Sequence, residues 1–293
     1  MSELSTYHPF VLCSFFVVLL ACTMFFMHPV LLVISFVAAF TLLCRIKGKT
    51  AWKQLYWIVP VILLSAVINP MFSHNGEHPI LYVNSNAITL EAIAYGFAIG
   101  TLLATMMLWC QIFQLTMTSD AFYYLCSKGS PTFALLLSMT LRFVPLFKMQ
   151  LLQMIAAQRA IGQDVAQGSY IRRLRLAFRI LSMMITWALE QAIEGADAMR
   201  ARGYGDQKRT TFSIYTMTSQ DRAALYALGT FIGLLVIMTL MDSTYYAYYP
   251  TFSTMQVAPL HLILYSGYAL FFFIPAWQEG RFQKQWHIYN VSK

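Results

Sequence analysis

The sequence predicts an all-α membrane protein with about six transmembrane helices. It also predicts long amphipathic cytoplasmic helices between the fourth and fifth spans. Three observations lead there. Of 293 residues, 58% are hydrophobic and 11% charged, with a mean hydropathy of +0.58. Soluble domains hold about 45–50% and about 25%, and a core of this size cannot hide the excess from water. Second, the apolar residues fall into six runs of about span length, of which 29–44 is slightly short. Third, every lysine and arginine falls on one side of the alternation those runs impose. A disulfide scaffold, a disordered chain and a typical cytosolic enzyme are excluded. The five cysteines, Cys13, Cys22, Cys44, Cys110 and Cys126, are scattered through apolar sequence with no C-x-x-C spacing, and read as small hydrophobes. The first nine residues hold no Lys or Arg, so the first apolar run is expected to be retained, not cleaved as a signal.

Taken in order, run 10–27 is uncharged. His28-Pro29 breaks the chain before 29–44, since proline cannot continue a helix and restricts the residue ahead of it. Run 55–72 contains Pro60, and 87–113 exceeds one bilayer thickness, so it tilts or emerges. Runs 223–241 and 257–275 complete the set. With the N-terminus cytoplasmic, the inner segments 1–9, 45–54, 114–222 and 276–293 hold all 20 Lys and Arg, and the outer segments none. The positive-inside rule therefore predicts both termini in the cytoplasm. The formal net charge of +8 is explained by this bias and by contact with anionic lipid, without a nucleic-acid partner. Three regions result: a four-span region 1–113, a cytoplasmic module 114–222, and a two-span region 223–293 with a basic tail.

The module 114–222 is not a linker. Ser130-Pro131 reads as an N-cap followed by proline at the first helical position. A helix is expected from there to about Gln163, charged only at Arg142, Lys148 and Arg159, and bent at Pro145. A second helix is expected from Ser169 to Arg202. It opens on Arg172, Arg173, Arg175 and Arg179, and near its end carries Glu190, Glu194 and Asp197 on one face. Gly203 suits the left-handed position after its last turn. Arginine at a bilayer centre costs about 2.5–3.5 kcal/mol on insertion scales. The two helices are therefore expected to lie at the inner surface rather than to span.

At these residues the sequence resembles a known family. The stretch from Ser130-Pro131 through Arg142-Phe143-Val144-Pro145 to Arg159-Ala160-Ile161-Gly162, with Ala201-Arg202-Gly203 some forty residues on, is similar to the transmembrane (T) component of energy-coupling factor (ECF) transporters. The resemblance extends from the first span to about residue 240. It implies the coupling subunit of a bacterial inner-membrane ABC importer. Such a subunit joins a small membrane substrate-binding (S) component to two ABC-type ATPase subunits, for uptake of a vitamin or transition-metal ion. The two long helices are then coupling helices, with Arg142 and Pro145 in the first, and each ends in an Ala-Arg-Gly motif whose arginine docks on an ATPase. Arg202, between Ala201 and Gly203, is the intact docking arginine. At the first site Ile161 stands where the family has arginine, with Arg159 two positions earlier as a substitute; this departure implies asymmetric coupling or a divergent subfamily. ATP belongs to the partners, and no cofactor or metal is expected in this chain. The competing account of Arg202 is that it complements its own helix end and pairs with Asp206 or a lipid phosphate.

Other signals are weaker. Gly48-Lys49-Thr50 ends like a phosphate-binding loop, but Leu43 stands where its first glycine belongs. His74-Asn75-Gly76-Glu77-His78 spells H-x-x-E-H, yet Gly76 and Pro79 predict a loop where that motif needs a helix. Ala92, Gly96, Gly100 and Ala104 form a small-residue stripe that lets another helix approach closely, and Gly229 and Gly233 repeat the spacing. Packing within the chain is favoured over contact with the S component. Glu91 is expected to reach water at the outer end of its helix. Tyr245, Tyr246, Tyr248 and Tyr249 are expected in an outer interfacial belt, and the tail from Trp277 on the inner face. The alternative function is a stand-alone secondary transporter or channel, which calls for ionisable or broken helices at mid-membrane. A polytopic membrane enzyme would need a polar catalytic cluster, and none stands out.

Overall fold

The computed structural model describes residues 3–73, 76–83, 86–129, 131–163, 169–204, 215–253 and 259–291. The chain divides into two compact units, 1–122 together with 215–293, and 123–214. The described residues are almost entirely helical, and the chain is an all-α, multi-pass membrane protein.

In the first unit α1 (Pro9–Phe25) starts on a proline, with His8 Nδ1 accepting the amide of Phe10. His28 is extended, and Pro29 opens α2 (Pro29–Lys47), so the break predicted at this dipeptide is present. A single 3-10 turn leads to α3 (Trp52–Phe72). Then come strands β1 (Pro79–Val83) and β2 (Asn86–Thr89), and α4 (Leu90–Thr116), whose first turn is capped by the Thr89 hydroxyl. The helix α5 (Ser119–Gly129) follows. Thr218 and Asp221 form a reciprocal capping box on α8 (Ser219–Leu240). The last helix, α9, runs from Pro259 to Val291 without stopping at residue 275.

Six helical stretches among the described residues are long and apolar enough to cross a membrane, but they are not the six expected. α1, with 17 residues, is a shorter apolar helix outside the six, α2 and α3 run together, and α6 (Pro131–Ala160) and α7 (Tyr170–Ala201) of the second unit qualify as the least apolar of the set. Lipid asks only for length and apolarity, and an amphipathic helix of some 30 residues meets that test as well as a span does.

Helices α1, α2, α4, α8 and α9 share one core. Trp109 is fully buried among Phe16 and Phe272, and its indole N–H donates to Ser35 Oγ at 3.1 Å. Phe231 and Phe271 stack at 3.7 Å. α3 and α4 close on each other through glycine. A Cβ at Gly96 would fall 2.9 Å from Ala66 Cα, and one at Gly100 2.8 Å from Ile62 Cα. The seam is bonded by Ser65 Oγ donating to the Gly96 carbonyl at 2.9 Å and Asn69 Nδ2 donating to that of Ala92 at 2.7 Å. Gly229 and Gly233 face open space instead. Between α2 and α9 the Arg45 guanidinium lies directly against Gly280, where any side chain would collide with it.

The end expected to face outward departs from expectation in three places. Residues 79–83 and 86–89 pair as antiparallel strands rather than forming a loop and the start of a span. Glu91 is fully buried, not solvated, and neither carboxylate oxygen has a hydrogen-bond partner among the described residues. Gly76 folds over it at φ +147°, so close that a Cβ there would sit 2.6 Å from Glu91 Oε2. The tyrosines form a packed cluster rather than a belt. Tyr248 is buried, edge-on to Tyr95 and Tyr246, and donates to the Met27 carbonyl at 3.0 Å, while Tyr245 alone of the four is exposed. Burial pushes the Tyr248 phenol up to about 12 and pulls the His28 imidazole down. The stretch after Gly76 is not helical, so Glu77 and His78 are not brought onto a metal-binding face, and His74 lies outside the described residues. Among the described residues no three metal-binding side chains converge.

Candidate functional site

The second unit is built on α6 (Pro131–Ala160) and α7 (Tyr170–Ala201). They cross in antiparallel sense. Phe147 meets Trp187 edge-on at 5.4 Å, Gln158 Nε2 reaches Met183 Sδ at 3.9 Å, and Arg179 Nη1 donates to Gln163 Oε1 at 2.8 Å. Leu176, Ile180 and Met184 are the buried residues of α7 against α6. Beside them lies an apolar groove of about 690 Å³, lined by Leu151, Ile155, Leu174, Phe178, Leu181 and Ile185 among others. Arg142 and Pro145 sit on α6 with their side chains exposed, and Ser130 lies outside the described residues.

Both helices end in the same way. At the end of α6 the Gly162 amide donates to the Arg159 carbonyl and the Gln163 amide to that of Gln158, both at 2.9 Å, with Gly162 at φ +75°. At the end of α7 the Gly203 amide donates to Arg200 at 3.0 Å and the Tyr204 amide to Met199 at 3.1 Å, with Gly203 at φ +68°. Each is a Schellman motif, which satisfies the last carbonyls of a helix and needs a left-handed residue after the cap. Glycine adopts that conformation without steric cost.

The shared geometry sets the correspondence between the two ends. Ile161 and Arg202 occupy the same cap position, Ala160 matches Ala201, and Arg159 matches Arg200. Arg159 thus has its own backbone counterpart in Arg200, two positions before Arg202. The correspondence is present in the sequence as two quadruplets, Arg159-Ala160-Ile161-Gly162 and Arg200-Ala201-Arg202-Gly203. Ile161 is 67% exposed, and Arg202 is exposed with no side-chain hydrogen bond or ion pair among the described residues. Asp206, considered as its partner, lies outside them. Sequence reasoning also missed the tie from Arg179 to Gln163 and the burial of Gln158, whose Oε1 has no partner among the described residues.

The end of α6 meets α7 near Arg179 and Met183, some twenty residues before Ala201. At 1.5 Å per residue the two ends are separated by roughly 30 Å along α7. The charged side of α7 is segregated. Arg172, Arg175 and Arg179 follow one another at i, i+3 and i+7 in its first half, and Glu190, Glu194 and Asp197 at i, i+4 and i+7 in its second. Exposed Ile171, Leu174, Phe178, Leu181 and Ile185 form a separate apolar stripe.

A family described as "CbiQ: Cobalt transport protein" matches residues 4–212. The chain is similar to the energy-coupling factor transporter transmembrane protein EcfT of Leuconostoc gelidum subsp. gasicomitatum, at 28% identity over 215 residues, covering 69% of this chain and 78% of the relative. The protein of the same name from Thermosediminibacter oceani is 29% identical over 206 residues, covering 66% and 77%. That from Lactobacillus helveticus is 35% identical over 105 residues, covering 36% and 38%. With a multi-pass helical unit, two long helices that end alike, and a family match across both, the chain belongs to the CbiQ family of ECF transporter transmembrane (T) components.

Proposed function

We propose that this chain is the coupling subunit of an ECF-type ABC importer. It passes ATP-driven motion from two cytoplasmic ATPase subunits to a substrate-binding S component that carries a vitamin or a transition-metal ion. On this reading the chain is not an enzyme, ATP is bound by the partners, and no cofactor is held here. Residues 114–222 are the coupling module between the membrane regions 1–113 and 223–293. Both termini lie in the cytoplasm of a bacterial cell, on the side where all Lys and Arg gather.

The observation that carries the proposal is the pair of identical helix caps with exposed side chains. A Schellman cap locks the last turn, so a force on the cap residue moves the whole helix rather than fraying it. Arg202 offers a planar fork of donors suited to carboxylates and backbone carbonyls in a partner groove, and Ala201 and Gly203 leave room for close approach. A separation of roughly 30 Å gives each end its own docking point. Ala160, Ile161, Gly162 and the neighbouring Arg159 form the first contact, Ala201, Arg202 and Gly203 the second.

The test is to co-express the full chain with its ATPases and S component and to isolate the complex through a tag on this chain. Wild type is expected to bring down both ATPase subunits, and Arg202→Ala to lose them with uptake. Full ATPase association and uptake in Arg202→Ala would remove Arg202 from the coupling contact. Isolation of wild type as a homomer would favour the stand-alone transporter.

A further inference from the structure

A second cavity, of about 450 Å³, lies in the first unit between α1, α8 and α9. Its inner walls are apolar, with Val11, Phe15, Leu228 and Phe271 on three different helices. Its polar lining is Tyr7 ahead of α1, Gln220 on α8, and Gln278 and Arg281 on α9. The Arg281 guanidinium lies 4.0 Å above the Trp277 ring, which holds the cation in place. The rim stands just outside the spans 223–241 and 257–275 expected from the sequence, and so at the level of the headgroups.

We propose that this cavity is a binding site for one anionic phospholipid of the inner leaflet, with an acyl chain between the three helices and its phosphate on Arg281. Apolar cavities do not hold water, and in a bilayer the filler at hand for a cleft between spans is an acyl chain. The size is that of a ligand pocket. The sign of the rim selects the headgroup. Two carboxylates lie next to rim residues in sequence, and neither is offered to the cavity. Asp221 is buried and accepts from the His8 amide at 2.8 Å and from Thr218. Glu279 is buried as well. Among the described residues Arg281 is thus the one charged residue lining the cavity, and an aromatic neighbour with two amide side chains completes a phosphate-binding rim. The proposal needs the membrane orientation given above but not the ATPase contact, so the two fail separately.

The full chain, purified in detergent, is titrated with phosphatidylglycerol and with phosphatidylethanolamine of the same acyl chains, and the bound lipid is counted by native mass spectrometry. Wild type is expected to retain one phosphatidylglycerol about tenfold more tightly than the zwitterionic lipid, because the two phosphates are alike but the ethanolamine ammonium sets a second positive charge near Arg281. Arg281→Gln is expected to abolish that preference while still holding either lipid weakly. Ala227→Trp, which fills the cavity from α8, is expected to exclude both. Glycerol 3-phosphate, a headgroup without chains, is expected not to compete. Equal retention of phosphatidylglycerol by wild type and both variants would overturn the proposal. So would competition by glycerol 3-phosphate as effective as that by lipid, since it makes the site one for a soluble phosphate.

Discussion

The end of α6 and the end of α7 share a backbone and differ in one side chain. Both glycines stand at positive φ, both pairs of closing hydrogen bonds span the same positions, and both quadruplets begin with Arg-Ala. At the cap position one end presents isoleucine and the other arginine. The locked cap is therefore the shared device, and the side chain at the cap is what sets the two ends apart. An exposed isoleucine asks for an apolar pocket, and an exposed arginine asks for oxygens. Partners of two different surfaces fit this pair better than two copies of one.

The largest effect should come from opposing the polar end. Arg202→Glu places like charge against a groove that suits arginine, a cost of several kcal/mol. ATPase co-purified with the chain is expected to fall about a hundredfold, and by a smaller but clear factor for Arg202→Lys, which keeps the charge and loses the planar fork. Next comes making the ends equal. Ile161→Arg restores the family's residue, and where the facing pocket is apolar it is expected to remove one ATPase subunit from the isolated complex and leave the other. Retention of both at wild-type levels would show that the facing pocket accepts either residue. Third, Gly162→Val and Gly203→Val each force a branched side chain into a left-handed position, at about 1–2 kcal/mol. Because the two φ values nearly coincide, the drops in unfolding temperature should match, and unequal drops would break the equivalence. The smallest effect is local. Arg179→Ala frees Gln163, so amide exchange is expected to quicken at 160–163 and to stay unchanged at 201–204.

Much of this was legible because lipid imposes a simple rule. The expected runs mark the helices α1 to α4, α8 and α9 because a span must be apolar for its whole length. His28-Pro29 and Gly203 were legible as local backbone chemistry, a ring that blocks a helix and a residue free to turn left. The end of α9 was not: Pro275 closes the apolar run, yet the helix continues to Val291. The strand pair 79–83 and 86–89 was missed because strands of five and four residues leave too little pattern to set against loop signals. The burial of Glu91 and of Tyr248 depends on contacts distant in sequence, which periodicity does not carry. The correspondence between Arg159 and Arg200 could have been read from the repeated quadruplet, and was obscured by aligning on the missing arginine.

The segregated charges of α7 carry one more consequence. Arg172 and Arg173 sit in its first turn, which holds no acid, where the helix dipole disfavours cations. Arg172 with Arg175, Arg175 with Arg179, and Glu190 with Glu194 are like-charged neighbours at spacings that repel. The helix is thus strained against itself in dilute buffer, and dissolved ions relieve that strain. Raising ionic strength should tighten this rod even as it loosens the ion pairs by which other molecules hold it, so the helix and its grip should answer salt with opposite sign.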